Sequence, residues 1–202
     1  MNMDMETKSR RAEHAESTRA ALLAVAQELF AELGYAGTST EEIVQRARVT
    51  RGALYHHFRD KRDLFEAVVE EMEAGIATRL VAAAASETDP WGRLQSGLAT
   101  FLDACEEPAI QRVLLMDAPS VLGWEKWREI DAKYGFGMLK GGLQSAMDSG
   151  AIQPQPVDPL AHLLTGAVME AAMVIATAKD VRSARAEVGA TLERLMEGLR
   201  AS

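Results

Sequence analysis

At 202 residues the chain holds either one ordinary domain or a small head joined to a larger body. Apolar residues make up 48% of it and aromatics only 5%, and the supply of alanine, leucine and methionine suits packed helices, so an all-α fold is expected. The net charge of −8 argues against a uniformly basic nucleic-acid binder, the lone Cys105 excludes an internal disulfide framework, and the polar start and lack of any uninterrupted apolar run of about 18 residues read against a secretory signal or a membrane span, which points to the cytoplasm.

The charge is unevenly spread. Residues 1–65 carry ten basic and ten acidic side chains, so all of the excess acid lies beyond them. From Gln45 to Arg62, six basic residues (Arg46, Arg48, Arg51, Arg59, Lys61 and Arg62) meet one acid, Asp60, giving a local basic face of +5.

Taken in chain order, residues 1–16 read as a flexible tail in which Lys8, Arg10 and Arg11 form a basic arm. Ser17 to Leu33 predicts an amphipathic helix, because Leu22, Val25, Ala26, Leu29, Phe30 and Leu33 recur at helical spacing, with Gly34 as its stop. The run Thr38-Ser39-Thr40-Glu41-Glu42 places hydroxyls ahead of carboxylates, a capping-box pattern, so a short second helix begins near Thr40. Arg48, Val49 and Thr50 form a turn, and Arg51 to His57 predicts another short helix. From Lys61 a long helix follows through Leu64, Phe65, Val68, Val69, Met72, Ile76 and Leu80, ended by Ser86 to Pro90. Further helical segments are Trp91 to Cys105, Pro108 to Met116, Trp124 to Asp148, Pro159 to Ala178 and Arg182 to Arg200. The prolines between Gln153 and Pro159 mark one rigid linker. No internal repeat, low-complexity tract or strand pattern stands out. The predicted domains are the tail (1–16), a helix-turn-helix head (17–62) and a helical body (63–202), about nine helices in all.

In a helix-turn-helix the first short helix braces the second, which enters the major groove. Ile43, Ala47, Val49, Leu54 and Phe58 supply the core of such a unit, while Arg51, Gly52, Ala53, Tyr55, His56 and His57 leave a polar, small-residue surface. The residues Thr38 to Ile43, Val49 to Phe58, Lys61 and Leu64 resemble the N-terminal domain of the TetR/AcrR family of bacterial repressors over about Thr18 to Phe65. The resemblance implies a homodimeric repressor of a double-stranded DNA operator. Its phosphate-gripping positions fall on Thr40, Tyr55, His57 and Lys61, and its base-facing positions on Arg51, Gly52 and Ala53, with His56 beside them. Hydroxyls, imidazoles and ammonium groups are good phosphate donors, and an arginine binds guanine O6 and N7 in bidentate fashion. The chain departs from the family at Arg48, where glycine is usual in a turn needing left-handed backbone, and at Glu41, an acid expected to stabilise its own helix N-terminus.

In the body, Leu160, Leu163, Leu164, Ala167, Val168, Ala171 and Ile175 share one helical face, and Val188, Leu192, Leu195 and Leu199 another. The two C-terminal helices thus either dimerise as a four-helix interface or close the monomer's own core. The stripe Trp124, Trp127, Tyr134 and Met138, with Phe101 and Met116, suggests a site for a small apolar or aromatic effector, and Gln95, Asp117 and His162 are its candidate polar anchors. Gly135, Gly137, Gly141 and Gly142 in one helix call for a kink, close packing or room for a ligand. Acidic neighbours of Cys105 predict an inert thiol. No phosphate loop, metal motif or nucleophile elbow is present, so neither enzyme activity nor a cofactor or metal is expected. The alternative is a helical ligand-binding or interaction module without sequence-specific DNA binding.

Overall fold

The computed structural model describes the backbone of residues 2–201 and the side chains of residues 13–201. Lys8, Arg10 and Arg11 therefore lie outside the described side chains. The chain forms two compact units that divide between Val69 and Glu70, seven residues later than the predicted head ends.

The first unit opens with α1 (Asn2–Gly37), which begins within the segment expected to be a tail. That segment contains no glycine or proline and is rich in methionine, glutamate, arginine and alanine, all strong helix formers. The helix breaks at Gly34 (φ 72°), as the sequence predicts. The buried Thr38 hydroxyl then donates to the Gly34 carbonyl at 2.8 Å, with the Leu29 carbonyl 3.1 Å away, which satisfies acceptors the helix end leaves open. Helix α2 (Thr40–Arg46) starts at Ser39, whose hydroxyl accepts the Glu42 N–H at 3.1 Å. Only half of a capping box forms, because the Glu42 carboxylate accepts from Arg46 at 2.9 Å instead. Helix α3 (Arg51–His57) is capped by Thr50, which accepts the Ala53 N–H. Leu22, Leu29, Phe30, Ile43, Leu54 and Phe65 are fully buried beneath these helices, and the rings of Phe30, Tyr35 and Phe65 pack 5.0–5.9 Å apart.

Between α2 and α3 the chain turns through Arg48 at φ 56°. The Arg48 N–H donates to the Gln45 carbonyl and the Val49 N–H to the Val44 carbonyl, the paired bonds of a helix end that glycine usually completes. Gly150 performs the same turn after Asp148, with matching bonds to Met147 and from Ala151 to Ala146. The left-handed backbone costs a residue with a Cβ roughly 1–2 kcal/mol, part of which glycine gives back through its freer unfolded chain. Arg48→Gly is therefore expected to stabilise the protein by about 0.5–1 kcal/mol, seen as a higher melting temperature; a lowered one contradicts the strain.

Helix α4 (Lys61–Ala85) begins in the first unit and continues into the second. Then come α5 (Pro90–Ala104), capped by Asp89, and α6 (108–122), in which a π-helical stretch, Gln111–Asp117, lies between α-helical ends. Helix α7 (124–148) is built the same way around Ala132–Phe136. Helix α8 (Val157–Thr177) starts earlier than predicted, at Val157, because Pro159 falls in its first turn, where a missing N–H costs nothing. Helix α9 (Val181–Glu197) is capped by Asp180. Among the described residues this makes nine helices and no strand, the all-α fold the composition predicts; one isolated antiparallel bridge ties Ile152 to Arg200.

Two apolar clusters fill the body. One joins Trp91, Leu94, Leu143, Ile152, Leu164 and Met196; the other joins Leu102, Cys105, Leu115, Ala172, Ile175 and Leu192. A Cβ on Gly142 would stand 2.7 Å from Leu94 Cδ2, so this glycine serves close packing of α7 on α5. Helix α8 is long and apolar enough to cross a membrane by length and composition alone, yet its Ala161, Leu164, Ala171, Ala172 and Ile175 are buried in the body's own core.

Candidate functional site

The head presents α3 to solvent. Arg51, Gly52, Tyr55 and His56 are exposed, Ala53 and His57 are partly covered, and Leu54 and Phe58 anchor the other side. A Cβ on Gly52 would meet nothing closer than the Thr50 hydroxyl at 3.8 Å, so the outer edge at that position is open. The Arg51 guanidinium lies over the Tyr55 ring (5.5 Å) and pairs with Glu41 at 3.1 Å. Glu41 therefore does more than stabilise its own helix. Its carboxyl is held below the usual glutamate range, first by its own backbone N–H and then by the Thr40 hydroxyl, with Arg51 contributing less.

Thr40 sits in the first turn of α2, with Ser39 rather than Thr40 as the cap, which leaves the Thr40 hydroxyl near Glu41 at 3.2 Å. Burial, then the charges of His56 and Arg19, hold the His57 imidazole below the usual histidine range, so near neutrality it is a neutral donor. Lys61 is engaged already: its Nζ donates to the carbonyls of Tyr35 (2.8 Å) and Thr38 (2.9 Å) and lies 4.2 Å from the Tyr35 ring centre. One of its three N–H donors remains. The local excess of base is partly matched as well. Arg46 pairs with Glu32 and Glu42, and Arg59 with Asp63; such exposed pairs are worth roughly 0–1 kcal/mol and exchange readily for phosphate.

The body contains a cavity of about 40 Å³ lined from five helices: Glu73, Ile76, Ala77 and Leu80 of α4, Phe101 and Cys105 of α5, Ile110, Leu114 and Leu115 of α6, Trp127, Asp131, Tyr134 and Gly135 of α7, and Met169 of α8. Of the residues predicted for an effector site, Phe101, Trp127 and Tyr134 meet there. Gln95, Met116, Asp117, Met138 and His162 do not line it. Gln95 and Met116 are exposed, Asp117 pairs loosely with Arg112 at 3.7 Å, Met138 is partly buried, and the exposed His162 stacks on Phe136 with centroids 4.6 Å apart. Each predicted polar anchor therefore lies away from the cavity.

The acids that do line it were missed. Glu73 is partly buried and its carboxyl is pushed up to about 7, first by loss of water and then by Asp131; Asp131 is raised too, by burial, against the pull of Arg128. The signal was present in the sequence. Glu73 interrupts the apolar stripe of α4 between Val69 and Ile76, and Asp131 interrupts the aromatic stripe between Trp127 and Tyr134. Cys105 is buried and its thiol is pushed up to about 12, by burial first and Glu73 second, which keeps it protonated. The inert thiol is as expected, but its sequence neighbours are not the main cause.

A helix-turn-helix head joined to a helical body with a cavity among its helices is the architecture of a class of ligand-responsive transcriptional regulators. Residues 22–68 match the family model described as bacterial regulatory proteins, tetR family, and residues 91–199 match that of the tetracyclin repressor-like C-terminal domain. The chain is similar over most of its length to a TetR-family transcriptional regulator from Pectobacterium atrosepticum, with 36% identity and a TM-score of 0.82 over 94% of this chain and 97% of that one. It is 28% identical to the transposon Tn10 TetC protein of Escherichia coli over 181 residues, 88% of this chain and 89% of the relative. FadR of Bacillus subtilis, solved in complex with stearoyl-CoA, shares the fold at 21% identity, with a TM-score of 0.72 over 90% of this chain and 99% of that one. The chain belongs to the tetR family of bacterial regulatory proteins.

Proposed function

We propose that this regulator represses transcription in the cytoplasm, binding an inverted-repeat operator as a homodimer and leaving it when a small apolar or aromatic effector occupies the body cavity. The observation that carries the reading is the exposed outer face of α3, where Arg51, Gly52, Tyr55 and His56 stand clear of a buried Leu54 and Phe58. One recognition helix reads too few base pairs for a unique site, and paired heads read half-sites about 34–36 Å apart or a multiple of that. Thr40, Tyr55, His57 and the remaining donor of Lys61 hold phosphates, while Arg51 exchanges Glu41 for a base edge.

Release follows from α4, one continuous helix that starts at Lys61 and lines the cavity with Glu73, Ile76, Ala77 and Leu80. An effector that binds one setting of this helix better than another shifts the population away from the DNA-binding form; equal affinity for both shifts nothing. That the similarly folded FadR was solved in complex with stearoyl-CoA supports a ligand-responsive regulator.

Salt-dependent binding to genomic fragments tests the reading. Tyr55→Phe and Lys61→Ala are expected to weaken binding to all sequences alike, Lys61→Ala also lowering the salt slope by about one, with melting curves recorded because Lys61 ties down two carbonyls. Arg51→Ala is expected to relax choice at one base position by about 1–3 kcal/mol. A wild-type protein that ignores every duplex in dilute buffer favours instead a binding module without a DNA target.

A further inference from the structure

We infer that the body cavity takes a cationic aromatic ligand, a protonated amine or quaternary ammonium on an aromatic frame, with its charge held between Glu73 and Asp131. This rests on the effector reading above and gives that effector its charge. Glu73 and Asp131 are the two acids of the lining, and no lysine, arginine or histidine joins them there. Among the described residues nothing hydrogen-bonds or ion-pairs with Glu73. The cations nearest on α7 leave Glu73 without a bonded partner: Arg128 lies over Trp124 at 5.7 Å and reaches Asp131 only through its charge, and Lys133 pairs with Glu70 at 3.2 Å and covers one face of the Tyr134 ring at 4.8 Å. A carboxylate drawn away from water without a bonded partner is costly, and a ligand cation supplies the partner that Glu73 lacks. Phe101 and Trp127 line the cavity beside the acids, and aromatic rings attract a desolvated cation further.

A second observation concerns the walls. Both π-helical stretches border this one cavity, Gln111–Asp117 through Leu114 and Leu115, and Ala132–Phe136 through Tyr134 and Gly135. Such turns are rare and concentrate at functional places. At about 40 Å³ the cavity holds roughly three waters, so an aromatic ligand must widen it, and a π turn relaxing to α geometry re-aims the lining side chains without unfolding the helix.

The groups facing Glu73 are Asp131 and Tyr134 from α7 and Cys105 from α5; α6 and α8 contribute only apolar lining. Since Glu73 titrates at about 7, cation affinity falls with acid. Titration calorimetry on the full-length protein uses three probes of one shape: benzylammonium, benzyltrimethylammonium and neutral benzyl alcohol. Both cations are expected to bind at least tenfold more tightly than the alcohol at pH 8, and about tenfold more weakly at pH 6 than at pH 8. Glu73→Gln is expected to remove most of the preference, and its melting curve shows that the fold is kept. Benzylammonium outranking the quaternary probe assigns the site to protonated amines, and the reverse to quaternary ammonium. Equal binding of the alcohol, or no binding of either cation at millimolar concentration, overturns the inference. Operator DNA added in a parallel titration separates the two readings: cation binding that leaves operator affinity unchanged sinks effector release and keeps the cation site.

Discussion

Leu163→Asp combined with Leu195→Asp is expected to give a folded monomer that loses operator binding by at least about a hundredfold, the order of the avidity that a tethered second head supplies. Both leucines are exposed, at 74% and 60%, whereas their neighbours Leu164, Leu192 and Met196 are buried in the body's own core. Val174, three turns along α8 from Leu163, is also open at 41%, which extends the apolar face along the helix. The face predicted for the C-terminal helices thus divides by residue: Leu164, Ala171, Ile175 and Leu192 close the monomer's own core, while Leu163 and Leu195, with Val174, stay exposed, where the proposed dimer places its interface. Because the substituted side chains are solvent-facing, each half should fold unaided. Sedimentation measures the mass and a mobility shift the affinity; a double variant that stays dimeric on intact operator refutes this face as the interface.

The second large effect is on stability and pH. Glu73 has a folded value of about 7 against an ordinary 4.5, so between those values the folded state binds more protons than the unfolded one. Stability is therefore whole below about pH 4.5 as far as this group is concerned, and falls as pH rises through 7, a loss on the order of 3 kcal/mol. Glu73→Leu is expected to recover most of that at pH 8, to change little at pH 5, and to flatten denaturant midpoints across the interval. A midpoint that rises from pH 5 to pH 8 in the wild type by way of this residue is ruled out by the sign. The same substitution is expected to abolish cation binding, so stability and ligand recognition are opposed at one side chain, as is common where a site is kept strained for function.

How much was legible in the sequence differs between head and body. The head is short-range: Gly34 stops α1, Ser39 and Thr50 cap α2 and α3, and Arg48 takes the left-handed turn, each a matter of a few consecutive residues. Even there the tertiary contacts of Lys61 with Tyr35 and Thr38, over twenty residues away, could not be read from spacing. In the body, apolar periodicity gave the helices and part of the aromatic stripe. It could not give the π-helical stretches, because a few residues of apolar pattern fit a slightly wider helix as well as the ordinary one. The glycines of α7 show the same limit: Gly142 serves packing on Leu94, Gly135 lines the cavity, and Gly141 faces open space.

The sequence by itself determined that the chain is helical, that its first third resembles a helix-turn-helix head, and which face of α3 is left exposed, since caps, turns and amphipathic stripes are written in neighbouring residues. Only the tertiary structure decided which acids share a cavity. Glu73 and Asp131 are brought together by the packing of α4 against α7, and whether a carboxylate is left without a partner depends on every helix that surrounds it.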